Sequence, residues 1–263
     1  MGIALGSAPR ASAQLSSSLL TFDQLPSGTV IGSQYYLTHR FLIYGDNARV
    51  GGPDTLTLFG SDLTNKTDKD LEQQNWTVGN LANSSERLGN LLIIAENTTD
   101  SNHDGLLDQP DDEFYGGTLT FASSRNITSF GFDLLGVRQD YAEKAFIDFY
   151  SGGTLLRTVA FTDFTTPGSP FYDPTIAWTP TYNSAGCELD GRSANRIQAI
   201  TAAELGTGVT SFDSVVFRYK NSIAFDNVNF TLPVAAPEPV SMSVALLGFV
   251  GGATLRRRRR ARR

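Results

Sequence analysis

Apolar and polar positions alternate along most of this chain. In Phe130-Gly131-Phe132-Asp133-Leu134 the spacing sets Phe130, Phe132 and Leu134 on one face of a strand, because successive strand side chains point to opposite sides. Similar runs of β-branched, aromatic and aliphatic residues predict strands at 19–22, 35–44, 55–59, 91–96, 117–121, 127–134, 146–150, 154–161, 214–219 and 223–230. Gly, Pro, Asn and Asp punctuate these runs. Helical periodicity is scarce, with one short helix expected near 201–205. The pattern predicts an all-β domain over 15–232, an antiparallel two-sheet β-sandwich of jelly-roll type. The polar stretches 61–90 and 162–195 read as loops at the ends of the sandwich. Phe114-Tyr115-Gly116-Gly117-Thr118-Leu119 is echoed at 149–155, which reads as repeated hairpin chemistry.

Composition agrees and narrows the choice. With 18% charged residues, nine Tyr and seventeen Phe, the 263-residue chain is no coiled coil. Its 40% hydrophobic content suffices to offset chain entropy, which excludes a disordered protein. A single Cys, Cys187, excludes a disulfide scaffold, and two His leave little for a zinc site or a catalytic triad. The formal charge of −6 averages two unlike regions. Seven Arg crowd the last eight residues, and the remainder carries 14 basic against 27 acidic residues. An acidic body of this kind suits divalent cations and is a poor match for nucleic acid.

Both ends read as addresses. Ala11-Ser12-Ala13-Gln14 has the small-x-small form of a signal-peptidase site, so 1–14 is expected to be a truncated signal peptide or a flexible leader. Residues 240–255 carry no charge and precede the Arg run at 256–263. As a helix they would reach roughly 24 Å, short of the roughly 30 Å hydrocarbon core. The Arg cluster would stay cytoplasmic and the body would be exported. Just upstream, the Pro-rich linker 233–239 contains Pro237-Glu238-Pro239, held extended by its prolines. The tripeptide, short apolar helix and Arg-rich end, in that order, closely resemble the PEP-CTERM sorting signal of Gram-negative bacteria. That resemblance implies recognition by an exosortase, transient residence in the inner membrane, processing, and release toward the exopolysaccharide at the cell surface. An ordinary C-terminal membrane anchor is the alternative.

The sharpest chemical motif lies at 100–111. Counting Asp100 as position 1, oxygen side chains fall at 1, 3, 5, 9 and 12 (Asp100, Asn102, Asp104, Asp108, Asp111), with Gly105 at 6 and the Leu106 carbonyl at 7. Calcium takes six to eight oxygens at about 2.3–2.6 Å, and this spacing wraps them around one ion. Asp111 stands where an EF-hand has Glu, a departure that resembles dockerin and thrombospondin type 3 loops. The flanks 91–95 and 117–121 read as strands, so the loop is expected to be a structural calcium clip. A plain Asp/Asn/Gly-rich turn is the bland alternative. The body also resembles, more loosely, sandwich domains that precede PEP-CTERM tails, with Phe22-Asp23 early and Ala224-Phe225-Asp226-Asn227-Val228-Asn229-Phe230 closing. Asp226, placed by alternation beside Val228 and Phe230, is either a hydrogen-bonded strand end or, with Asp23, a second metal site.

No nucleophile elbow, paired metal-spaced histidines or Walker loop occurs. Asp68 and Asp70 are the sort of pair that glycoside hydrolysis employs, but in Thr67-Asp68-Lys69-Asp70-Leu71 they read as a solvated turn, and Cys187 as an incidental thiol. The expected function is non-catalytic: a calcium-stabilised matrix protein working by association. A calcium-dependent, lectin-like carbohydrate-binding module is the alternative, with Trp76, Trp178, Tyr35 and Tyr36 as candidate stacking residues; a glycoside hydrolase ranks behind both.

Overall fold

Alternating sequences become strands where one face can be buried, and twelve strands form among the described residues. The computed structural model describes residues 15–63, 68–82 and 84–233. In chain order the elements are β1 (Leu15–Leu20), β2 (Val30–Ile31), α1 (Tyr36–His39), β3 (Phe41–Asn47), β4 (Leu56–Gly60), β5 (Asn90–Ile94), β6 (Gly117–Ile127), β7 (Ser129–Leu135), α2 (Gln139–Ala142), β8 (Phe146–Ser151), β9 (Thr154–Ala160), β10 (Ala194–Thr201), α3 (Ala202–Leu205), β11 (Phe212–Tyr219) and β12 (Ala224–Pro233). One sheet runs β10-β7-β12-β5-β4-β2, with β1 also paired to β12, and the other runs β3-β6-β11-β8-β9. Strand pairs from β10–β7 through β8–β9 run antiparallel, and two isolated bridges, Val78 with Ser193 and Arg138 with Thr179, are parallel. The result is an all-β sandwich, as the alternation predicts.

Phenylalanine fills the space between the sheets. Phe41 meets Phe230 edge-on at 4.7 Å, Phe132 meets Phe217 at 4.8 Å, and Phe217 meets Phe225 at 4.6 Å. Each pair joins one sheet to the other, and offset geometry suits the ring quadrupoles. The Thr154–Ala160 strand returns from β8 through Gly152 and Gly153, both at positive φ, the backbone that a two-residue hairpin turn requires.

Around β5 the seven-stranded sheet is buried on both faces. Leu92 and Ile94 of β5 join the main core, while Leu91 and Ile93 join a second cluster with Phe59, Leu71, Trp76, Leu81 and Leu88. Of the 61–89 stretch, the described parts 68–82 and 84–89 therefore lie over the outer face of this sheet, a correction to their reading as an end loop. Their polarity hides four well-spaced apolar anchors, Leu71, Trp76, Leu81 and Leu88. Likewise 162–193 contributes Phe164, Ile176 and Trp178 to the main core.

Other differences have local causes. The predicted strand 35–44 is interrupted by α1, which ends at Arg40 with φ of 65° before β3 begins. Sequence alternation also missed β10, whose Asn195 and Arg196 mask its strand character and whose register shifts between Ile197 and Ile200. Phe114-Tyr115-Gly116-Gly117 is no hairpin: Gly116, at φ of 69°, closes a turn on Glu113 and lies where a Cβ would stand 2.4 Å from the Tyr219 carbonyl. The expected short helix is present as α3, with the Glu204 carboxylate accepting from the Thr201 N–H at 2.7 Å.

One compact unit comprises Ser16–Leu232; of a second, Met1–Leu15 with Pro233–Arg263, the structure describes Leu15 and Pro233 alone. Pro233, read as the start of the linker, closes β12. The leader 1–14, Pro237-Glu238-Pro239, the 240–255 segment and the Arg run lie outside the described residues. Among the described residues no helix is long and apolar enough to cross a membrane.

Candidate metal centre

The 100–108 loop rises between β5 and β6 and is pinned at its far side. The Leu107 N–H donates to the Gly28 carbonyl at 2.9 Å, Leu106 bridges Thr29, and the Leu107 side chain is buried. His103 and Gly105 take positive φ, 58° and 85°, and the His103 side chain is exposed. The oxygen side chains turn inward on their own backbone. Asp100 accepts from the N–H groups of Asp104 (3.2 Å) and Gly105 (3.0 Å), Asn102 from Asp104 (3.0 Å), Asp104 from Leu106 (2.9 Å) and Asp108 from Ser101 (2.8 Å). The Ser101 N–H holds the Asp108 carboxyl below its usual range. The structure thus gathers Asp100, Asn102, Asp104 and Asp108 along one self-bonded loop.

Asp111 lies elsewhere. Its carbonyl accepts from the Glu96 N–H at 2.9 Å, and the next residue bridges Ala95. This extends the edge of the sheet and swings the Asp111 carboxylate toward Asp68 and Asp112. Carboxylate oxygens of Asp68, Asp111 and Asp112 all lie within 4.8 Å of one another, a convergence that the loop acids do not reach among the described residues. Six carboxylates, those of Asp68, Asp70, Glu96, Asp111, Asp112 and Asp190, and two cations, Lys69 and Arg138, line the surrounding cleft of about 380 Å³.

Asp68 and Asp70 are not the solvated turn that their sequence suggests. Burial of Leu71 and Trp76 draws the segment down, and the Trp76 indole N–H donates to the Asp70 carbonyl at 3.0 Å. Asp68 and Asp112 end at 5% and 6% exposure. Burial first, then the charge of Asp112, pushes the Asp68 carboxyl up to about 8. Burial and Asp68 push Asp70 up to about 9, and burial and Asp70 push Asp112 up to about 7. The Ser222 hydroxyl donates to one oxygen of Asp112, while the other, like one oxygen of Asp68, meets no donor apart from a neighbouring carboxyl. Burial, with Asp112 nearby, raises the Tyr219 phenol.

Asp23 and Asp226 are linked by charge. Asp226 is fully buried and has no side-chain donor on its oxygens; only the backbone N–H groups of Asn227 and Phe22 ease its charge. The β12 register sets it opposite Asp133, and a shift between Asp226 and Asn229 breaks the alternation expected to group it with Val228 and Phe230. Burial pushes its carboxyl up to about 8, aided by the charges of Asp133 and Asp23. Asp23 is exposed and accepts from the Asn90 N–H at 2.9 Å. Burial, then Asp226 and Asp23, pushes the Tyr35 phenol up to about 12. Two carboxylates and one phenol make a thinner oxygen set than the three-Asp group.

Of the expected stacking residues, Trp76, Trp178 and Tyr35 are buried and can offer no open ring face, whereas Tyr36 is exposed. The sequence reading missed Phe114 and Tyr115 as binding candidates. They form an exposed edge-on pair with centroids 5.7 Å apart, and Phe114 lines the acidic cleft. Their conjunction with Asp68 depends on chain segments 46 residues apart, which no local motif signals. Comparison with family models, curated proteins and solved structures finds no match, so no relative's site can be carried onto these residues.

Proposed function

We propose that this chain is an exported, calcium-stabilised β-sandwich of jelly-roll type that acts by association in an exopolysaccharide matrix. The observation that carries the reading is the order Pro237-Glu238-Pro239, an uncharged segment at 240–255, then the Arg run. A short apolar helix holds a protein in the inner membrane only weakly, and the prolines ahead of it present an extended chain to an exosortase. Calcium, plentiful outside the cell, is taken by the 100–111 loop through Asp100, Asn102, Asp104 and Asp108, all carrying side-chain oxygen.

The test is fractionation of producing cells with Pro237, Glu238 and Pro239 all changed to alanine. The variant is expected to stay in the membrane fraction at unprocessed size while the wild type is processed and released; identical size and distribution would end the sorting hypothesis.

A second reading, calcium-dependent carbohydrate binding, is favoured by one specific observation. Exposed Phe114 borders a cleft lined by carboxylates, and an aromatic face beside a bound cation suits a sugar ring bearing vicinal hydroxyls.

A further inference from the structure

We propose that Asp68, Asp111 and Asp112 form a calcium site of their own, separate from the 100–108 loop and assembled from distant chain segments. It stands on neither the sorting tail nor the loop. The first support is geometry. Oxygens bound to one calcium at about 2.3–2.6 Å lie no more than about 5 Å apart, and these three carboxylates lie within 4.8 Å.

The second support is the treatment of buried acids elsewhere in the fold. Glu113 pairs with Arg49 at 2.9 Å, Asp133 with Arg196 at 2.8 Å, and Asp148 with Arg218 at 2.5 Å. Asp68 and Asp112 are as deeply buried, yet no lysine or arginine among the described residues makes an ion pair with either. Each keeps an oxygen on the wall of the cleft that no donor reaches apart from a neighbouring carboxyl. Adjoining buried carboxylates repel unless a counter-charge intervenes. Asp226 also lacks a cation, but Asp133, opposite it in the sheet, is already paired with Arg196.

The donor set selects the ion. All three donors are carboxylates, with neither imidazole nor thiolate among them, the mark of a hard cation. An all-carboxylate set supplied by the protein suits calcium, which accepts irregular oxygen shells, better than magnesium, which demands a near-octahedral one and keeps several waters. Because Asp68 belongs to the cover over the outer sheet face and Asp112 to the strand edge, the ion would clip the cover to the sandwich.

The deciding experiment strips full-length protein with chelator, titrates it with Ca²⁺ and in parallel with Mg²⁺, and counts bound equivalents by equilibrium dialysis alongside thermal melting. Asp112→Asn is expected to lose one calcium equivalent, or to bind it at least tenfold more weakly. Its chelated form should melt no lower than chelated wild type, since the change relieves like-charge repulsion. Asp68→Asn should behave alike and decides the matter if Asp112→Asn does not fold. Asp104→Asn, in the loop, should retain this equivalent. Wild-type stoichiometry and affinity in both cluster variants, complete loss of binding in Asp104→Asn, or preference for Mg²⁺ would each overturn the assignment. If only the loop reading is wrong, Asp104→Asn binds as wild type while the cluster variants still lose an equivalent.

Discussion

A carboxylate removed from water needs a cation, a set of donors or a proton, and single residues in this fold show all three remedies. Asp133 takes two hydrogen bonds from Arg196, both at 2.8 Å, and a third from the Asn227 amide at 2.8 Å. The same guanidinium holds Glu86 below its usual range. Asp226 has no such partner and is best neutral, its carboxyl pushed up to about 8 against an ordinary 3.8. Between those values the folded chain binds a proton that the unfolded chain has shed, so stability falls as pH rises, by about 1.4 kcal/mol per pH unit for one group. Above about 8 the loss is complete. Asp226→Asn should remove this contribution: denaturant titrations from pH 5 to 9 are expected to show a shallower decline than wild type. Parallel curves for the two proteins would mean that Asp226 does not titrate in this window. The sequence marked Asp226 as an acid in an apolar strand; its pairing opposite Asp133 depends on a register shift that no local pattern encodes.

Among elements, the informative one is the cover over the seven-stranded sheet. Strand β5 spells Asn-Leu-Leu-Ile-Ile, a continuous apolar run, and such runs belong to strands buried on both faces. That much was legible. What lies on the outer face was not, because 61–89 spaces its anchors among polar residues with no strand or helix period. Trp76 joins the two roles of this cover, packing into the outer cluster and fixing the acid-bearing segment through Asp70. Trp76→Ala should cost about 3–5 kcal/mol, read from equilibrium denaturation. Faster hydrogen exchange should be concentrated in 68–88 and β5, with the β3-β6-β11 strands protected as before. A loss under 1 kcal/mol would show the cover to be dispensable.

For the whole molecule, two calcium readings and two binding modes meet in one sandwich. The layered β architecture followed from alternation, and the 100–111 motif from residue spacing. The Asp68–Asp112 convergence did not, since it depends on how the cover crosses the sheet edge. A polysaccharide column separates the modes. Calcium-dependent retention that Phe114→Ala weakens at least tenfold is expected of the carbohydrate-binding reading, whereas passage without retention supports a purely structural role. Beyond chemistry, the strand order bears on mechanics. β12 is the last strand among the described residues and is an interior one, hydrogen-bonded to β7 along one edge and to β5 and β1 along the other. Tension applied along the axis of β12 would therefore load those ladders in shear, many bonds at once, where an edge strand pulled sideways would unzip bond by bond.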